Sequence, residues 1–487
     1  MSDVLVYGAT AAGVAAAVSA AEAGAHTRLV AAETHVGGMV SGGLSWTDVG
    51  DTTVLGGFAR RFYAAVADRY DAPLWSVKGP EPHVAEQLLE GMLDGAGVEV
   101  ALATPAATAL SHAGQAAVLV DASYEGDLMA GLGVPFAVGR ESRELYGEQW
   151  AGRQPAYRPG KHNFAVRISP FAEDGSLLPH VRAPELDDGG RPAERLGEGD
   201  GGLQAYQFRL CLTDRPENRL PLEPPPGYDP AEFELLRRYI CAACPGPRDL
   251  LGLVPDLLPN GKCDVNSIGP FSLNLLDGSN RDYLEGDRDA VRGRHLRHAQ
   301  GFLYYLATEA PEGISSEVTR WGPCADEFLD TGGWPHQLYV RDARRMLGAY
   351  VLRESDLLEA VPQPDAVARG SYNIDVREVE RTWRSLPEYF PEPAVFNEGY
   401  LSVPVPPYPI PYRCLTPRRE DCERLLVPVC LSASHVAFAS VRMEPTYMLL
   451  GQAAGLAAAQ AARRAVAVQD VDVDALRDAL VDAGAVL

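Results

Sequence analysis

Gly8-Ala9-Thr10-Ala11-Ala12-Gly13 has the residue types and spacing of a dinucleotide phosphate turn, set between an apolar run and an alanine-rich one. Gly8 suits a tight strand-to-helix turn, and Gly13 lets the helix pack close on the strand. The helix start then offers free N–H groups and a partial positive charge to a pyrophosphate. Thr10 replaces the middle glycine, which holds the backbone further from a phosphate, and its hydroxyl is the compensating donor. The acidic residue expected near position 31, for an adenosine ribose, is absent because Ala31 stands there. Glu33 is the candidate ribose ligand from the following loop.

A second glycine cluster, Gly37-Gly38-Met39-Val40-Ser41-Gly42-Gly43, follows at once. Two glycine pairs let the backbone pass flat against a large planar or phosphate-bearing group, since no Cβ intervenes. A nicotinamide enzyme has no need of such a segment here, whereas a flavin enzyme does. Oxidising an alcohol or amine also needs a base, and His336 and His435 are the candidates. Arg209, Tyr339, Arg341, Tyr412 and Arg413 are candidates for orienting a polar substrate. The catalytic set is read as His435, His336, Tyr339 and Arg209.

Cys241-Ala242-Ala243-Cys244 has the spacing of a redox dithiol. A disulfide reductase needs a second nucleotide turn, however, and Gly197-Glu198-Gly199-Asp200-Gly201-Gly202 follows no strand pattern and carries acids that repel phosphate. His295 and His298 stand one helical turn apart among Arg292, Arg294 and Arg297, with no carboxylate or thiol at ligand spacing. They read as part of a solvated basic helix face, and no metal is expected.

These residues require a scaffold. Residues 3–8 read as a strand, 11–23 as a helix and 27–30 as a strand, a βαβ opening. A helix over 83–96 and strands over 98–102 and 117–120 extend that sheet or form a small one beside it. Residues 184–202, rich in Asp, Glu, Gly and Pro, form an exposed loop at the edge of a second region. Between about 205 and 400 the pattern is strands and long loops, with helices near 231–241, 286–308 and 341–353. The proline run over 403–411 is stiff and extended, a return connection. A strand over 425–431, a long helix from 445 and an acidic helix over 471–480 close the chain.

With 46% hydrophobic and 22% charged residues, the chain of 487 residues is globular, neither disordered nor fibrous, and long enough for two domains or one interrupted by another. Its 43 basic and 66 acidic residues give a net charge of −23, which repels nucleic acid and anionic lipid. Neither is expected as a partner; a small molecule is. Met1-Ser2-Asp3 opens onto an apolar strand without the basic run or long apolar stretch of a secretion signal. The apolar segment 449–468 is interrupted by Gln452, Gln460, Arg463 and Arg464 and reads as a packed helix, not a membrane span. Eight cysteines without a spaced framework read as free thiols in a reducing cytoplasm. Oligomeric state is not legible.

Four separated segments complete the reading: His35-Val36 with the second glycine cluster; Asp121-Ala122-Ser123-Tyr124-Glu125-Gly126-Asp127-Leu128; Trp334-Pro335-His336-Gln337-Leu338-Tyr339-Val340-Arg341; and Ser432-Ala433-Ser434-His435 through Arg442-Met443-Glu444-Pro445 to Gly451-Gln452-Ala453-Ala454-Gly455. In this order they resemble the FAD-dependent oxidoreductase family. The resemblance implies an α/β fold: a discontinuous Rossmann-like FAD-binding domain of glutathione-reductase type from residues 1–150 and 401–487, with an inserted α+β substrate domain over 151–400. It implies FAD held by Gly8, Ala9, Thr10, Ala11, Ala12, Gly13, Glu33, His35, Gly37, Gly38, Met39, Ser41, Gly42, Gly43, Asp121 and Ser123. Ser432 would meet the ribityl chain, and Arg442, Met443 and Glu444 the pyrimidine, where a helix N-terminus favours the negative charge of reduced flavin.

One departure is Arg377 in Tyr372-Asn373-Ile374-Asp375-Val376-Arg377, where the relatives carry histidine; an arginine is no general base. The implied reaction moves hydride from a C–O or C–N bond of a small polar or natural-product substrate to flavin N5. The alternatives are reduction of a C=C bond, which would need an arginine acid, and a degenerate FAD-binding protein without turnover. No second nucleotide turn is visible, which favours oxygen, a quinone or a protein as electron acceptor. His35 offers a minor route to covalent flavin. Acid precipitation of the purified protein distinguishes these: flavin released to the supernatant is the expected result, flavin retained in the pellet establishes a covalent link, and a colourless protein that takes up no FAD contradicts the flavin reading.

Overall fold

The computed structural model describes residues 2–77, 79–158 and 162–487. Strands β1 (Ser2–Tyr7), β2 (Thr27–Val30), β3 (Glu99–Ala101), β4 (Ala116–Asp121) and β5 (Leu425–Leu426) form one sheet in the order β5-β4-β1-β2-β3. Every pairing is parallel, with Val4 opposite both Thr27 and Val118 and Leu425 opposite Leu119. Val4, Leu5 and Val6 are all buried, as expected of a central strand covered on both faces. The far end of the chain thus returns to the sheet that the first residues begin.

Helix α1 (Ala11–Glu22) makes the crossover from β1 to β2. It is apolar on nearly every side and correspondingly buried from Ala11 to Ala20. Against it lies α5 (Glu444–Arg464), whose Gly451 and Gly455 are the points of contact. A Cβ on Gly451 would lie 2.2 Å from the Ala12 carbonyl oxygen, and one on Gly455 2.2 Å from that of Ala16. Glycines one helical turn apart thus let two backbones approach more closely than side chains allow.

Beyond the parallel sheet, Leu210–Thr213, Lys262–Val265 and Gly322–Pro323 form an antiparallel sheet, and Glu380–Arg384 pairs with Ala394–Glu398 as a hairpin. Helix α2 (Pro82–Ala96) packs near α1, and α3 (Arg288–Thr308) is the long helix of the middle region. Among the described residues no helix is long and apolar enough to cross a membrane.

Three expectations are corrected. Residues 341–353 are not helical: Arg344–Met346 is a strand paired with Phe136–Val138. Its side chains alternate, Arg344 reaching Asp127 and Arg345 reaching Glu141, and this period of two excludes a helix. The strand expected over 425–431 stops at Leu426, because Pro428 has no N–H for the ladder. His295 and His298 are not solvated; α3 turns them into the core beside Tyr206 and Phe302, and burial pushes them down to about 3 and about 4.

The close contact of the two helices gives a direct test. Gly451→Ala is expected to destabilise by about 1–3 kcal/mol in chemical denaturation, as overpacking does. Gly95→Ala, in α2 with open space around it, is expected to stabilise by about 0.4–1 kcal/mol.

Candidate functional site

At the end of β1 the backbone turns at Gly8, whose φ is +100° and whose missing Cβ would lie 2.6 Å from Ser123 N. A Cβ on Gly13 would meet Gly8 O at 1.9 Å, so both glycines are required by packing. Thr10 caps α1: its hydroxyl accepts from Gly13 N at 3.1 Å and donates to Ala122 O at 2.7 Å. That donor therefore ties the turn to β4 and is not free for a phosphate, a correction to the expected role. Ala9, Ala11 and Ala12 are buried, and Ala9 O accepts from Gly37 N at 2.7 Å, linking the two glycine clusters. The second cluster is also covered by protein. Gly38 abuts the Tyr124 hydroxyl, Gly42 the Gln337 side chain and Gly43 the Arg209 carbonyl, while Ser41 Oγ donates to Val36 O at 2.6 Å.

A cavity of about 330 Å3 opens at the C-terminal ends of β1, β2 and β4, where parallel sheets bind their ligands. Its wall includes Glu33, Ser123, Glu125, Arg292 and His336. Glu33 Oε2 and both His336 ring nitrogens are buried without a hydrogen-bond partner among the described residues. Burial, with Glu125, pushes Glu33 up to about 7, and burial, with His35, pushes His336 down to about 4. Arg292 donates to His336 O at 2.6 Å, whereas Arg288 is engaged by Asp127 at 2.6 and 2.7 Å. A ribose hydroxyl would supply the partners that Glu33 and His336 lack, and Arg292 stands beside them in the cavity wall to meet a phosphate, so the site fits the adenosine diphosphate part of FAD.

His35 stacks on His336 with ring centroids 3.9 Å apart, and its Nδ1 and Nε2 lie 3.0 Å from Glu86 and 3.0 Å from Asp330. Glu86 and Asp330 hold it up at about 9, and neither nitrogen is free for a covalent flavin bond. Asp121 accepts from Ser123 N, Ser123 Oγ and Met129 N at 3.0, 2.6 and 2.7 Å. It shapes the turn after β4, and Ser123 lines the cavity.

The C-terminal residues form a second group. Met39 N donates to Tyr124 Oη at 2.9 Å, and that hydroxyl donates to Glu444 Oε1 at 2.7 Å. Burial pushes Glu444 up to about 8, leaving a neutral carboxyl at the first turn of α5. Met443 is buried beside it. Arg442 donates to Tyr339 Oη at 2.8 Å and to Asp375 O at 2.7 Å. Ser432 Oγ accepts from Gly348 N at 3.1 Å.

His435 opens α4 (His435–Val441), with its backbone N–H on Glu141 at 2.9 Å and Nε2 3.0 Å from Asp342 Oδ2. Gln204 donates to Asp342 Oδ2 at 3.1 Å and accepts from Arg377 N at 3.0 Å, which joins His435 to Arg377. Burial works against the Asp342 charge, but His435 and Arg345 outweigh it and lower its pKa.

The remaining candidates lie elsewhere. Arg209 is ion-paired with buried Asp264 at 2.6 Å, Tyr412 donates to Val468 O at 2.7 Å, and Arg413 lies over the Tyr350 ring at 4.3 Å. Cys241 and Cys244 are exposed free thiols at the end of Glu234–Ala243. Glu81, His83 and Glu327 gather as metal ligands do, but Lys262 Nζ stands among them, 2.7 Å from Glu81 and 2.6 Å from Glu327. The ammonium supplies the charge there. Tyr124, Asp342 and Arg292 were not singled out in the sequence. The first lies inside the 121–128 segment and the second directly after 334–341, while nothing in the pattern of α3 marks the third.

Glu444 carries a pH prediction. Its folded pKa of about 8 exceeds the ordinary 4.5, so its contribution is intact below about pH 4.5 and stability is lost as pH rises toward about 8. Glu444→Gln keeps an acceptor for Tyr124 and is expected to be more stable than the parent at about pH 9 but not at about pH 4, by chemical denaturation at each pH.

Partial likenesses extend to OxyS anhydrotetracycline hydroxylase from Streptomyces rimosus, at 18% identity and TM-score 0.22 over 29% of this chain and 35% of that one. THI4 of Thermovibrio ammonificans matches at 15% identity and TM-score 0.20 over 29% and 66%. A 3-ketosteroid-Δ4-(5α)-dehydrogenase from Rhodococcus jostii RHA1 matches at 16% identity and TM-score 0.14 over 21% and 38%. Each match spans less than two thirds of the other chain, and no curated protein sequence matches. The family model described as FAD dependent oxidoreductase matches residues 3–480. Nearly the whole chain is thus accounted for, and the protein belongs to the FAD-dependent oxidoreductase family, enzymes whose cofactor is FAD.

Proposed function

We propose that the protein oxidises a C–O or C–N bond of a small polar molecule, with His435 as the proton acceptor. The observation that carries this reading is the buried His435–Asp342 pair, a base held by a carboxylate. Nε2 lies 3.0 Å from Asp342 Oδ2, an ion-pair contact and not an aligned hydrogen bond; a proton drawn to that nitrogen by the carboxylate would leave Nδ1 as the base. As Nδ1 takes the substrate proton, Asp342 stabilises the imidazolium. When bound, FAD supplies the two-electron acceptor.

The other residues bind and orient. Glu33, His336 and Arg292 would hold the ribose and phosphates, and Arg442 with the first turn of α5 would face the pyrimidine. Arg442 fixes the Tyr339 hydroxyl, and Arg209 O supports Gly43 from behind. Residues 1–150 and 401–487 would form a glutathione-reductase-type FAD domain around a substrate unit over 151–400. The return of β5 to the first sheet and the α1–α5 contact support that arrangement.

Alcohols and amines that bleach the bound flavin anaerobically would identify the bond class. His435→Asn is expected to slow that bleaching by about 10²–10⁴-fold with flavin content unchanged. Asp342→Asn should slow it less and move its pH profile. Full rates in both variants would contradict the assignment.

A further inference from the structure

Three buried arginines converge beside the His435–Asp342 pair. Arg341, Arg377 and Arg442 are 3%, 7% and 4% exposed. Arg442 lies 3.3 Å from Asp375 Oδ2, and Arg377 lies 3.4 Å from Glu378 Oε2. Arg341 has no carboxylate within ion-pair distance among the described residues. Its guanidinium donates to Ala205 O and to Asn274 Oδ1, the latter at 3.2 Å, and lies over the Tyr339 ring at 4.5 Å. Among the described residues the ion-pair partners of these three guanidinium groups are Asp375 and Glu378 alone. His162, between Arg377 and Glu378, adds no negative charge.

An unpaired buried charge is costly, and burial together with Arg377 and Arg442 pushes Arg341 down to about 9. Neutral hydrogen bonds satisfy the geometry of the group but not its charge. The cluster is also well placed. Asp342, the partner of His435, is the next residue after Arg341, and Gln204 bridges it to Arg377. The same segment passes the second glycine cluster, since Gln337 fills the space beside Gly42. Asp375, Tyr372 and Tyr400 are only partly buried and connect the cluster to solvent.

We propose that Arg341, flanked by Arg377 and Arg442, binds the carboxylate of the substrate, which is therefore a small organic acid bearing the hydroxyl or amine to be oxidised. This rests on the oxidation reading above. A planar carboxylate matches the paired N–H groups of a guanidinium, which an uncharged amide of the same shape does not neutralise.

The test is calorimetric titration of the FAD-loaded protein with lactate and benzoate, against lactamide and benzamide at equal ionic strength, with the flavin absorption band followed in parallel. The acids are expected to bind saturably and perturb the flavin, and the amides to bind at least about tenfold more weakly. Arg341→Gln should weaken the acids by about tenfold or more, and Arg341→Lys by less. Should Arg341→Gln fail to fold, the acid–amide comparison on the unaltered protein still decides. Equal binding of acids and amides, or acid binding unchanged in a folded Arg341→Gln, overturns the proposal. Flavin bleached by neutral alcohols or amines without acid binding overturns it while leaving the oxidation reading intact. Acid binding that needs Arg341, with no hydroxy or amino acid able to bleach the flavin, supports the subsite and contradicts oxidation.

Discussion

The carbonyl oxygens of Ala12 and Ala16 occupy the space that β-carbons on Gly451 and Gly455 would need, and the site is assembled around that contact. It fixes α1 against α5, and so fixes the Gly8–Gly13 turn at the N-terminus of one helix relative to Arg442, Met443 and Glu444 at the start of the other. Thr10 completes the frame by tying the same turn to Ala122 at the end of β4. A hydroxyl expected to serve a ligand serves the scaffold instead. The second glycine cluster behaves similarly, its missing side chains making room for Tyr124, Gln337 and the Arg209 backbone.

Charge divides the interior into two regions of opposite character. Around the cavity at the sheet edge, Glu33 is pushed up to about 7 and His336 down to about 4, so burial favours neutral groups able to exchange hydrogen bonds with a ribose. In the group near α4 and α5, positive charge is retained: Arg442 stays charged beside Asp375, and Arg341 has no carboxylate within ion-pair distance among the described residues. A cofactor rich in phosphate and a substrate with its own anion are complementary to such an interior.

The opening βαβ unit, the long C-terminal helix and the two glycine clusters were legible because local rules dictate them: short continuous apolar strands, an alanine-rich helix and turns that need glycine. The region from 341 to 353 was not, since the charged residues Arg341, Asp342, Arg344 and Arg345 show no apolar alternation that marks a strand. Their alternation becomes visible only when Glu141 and Asp127 arrive from distant segments to pair with them. His295 and His298 were misread for a related reason. Arg294 and Arg297 are exposed, but the histidines occupy the other side of α3, and no local signal shows which side packs. Candidate bases were found by residue type, whereas the Asp342 that makes His435 a candidate worth testing emerged from tertiary contact alone.

A crystal structure of the protein carrying stoichiometric FAD tests the central claim most directly. The account predicts adenosine and pyrophosphate density between Glu33, Arg292 and His336 at the ends of β1 and β2, with the isoalloxazine ring against residues 39–43 and the start of α5. FAD bound elsewhere, with the cavity between Glu33 and His336 left to solvent, would contradict it.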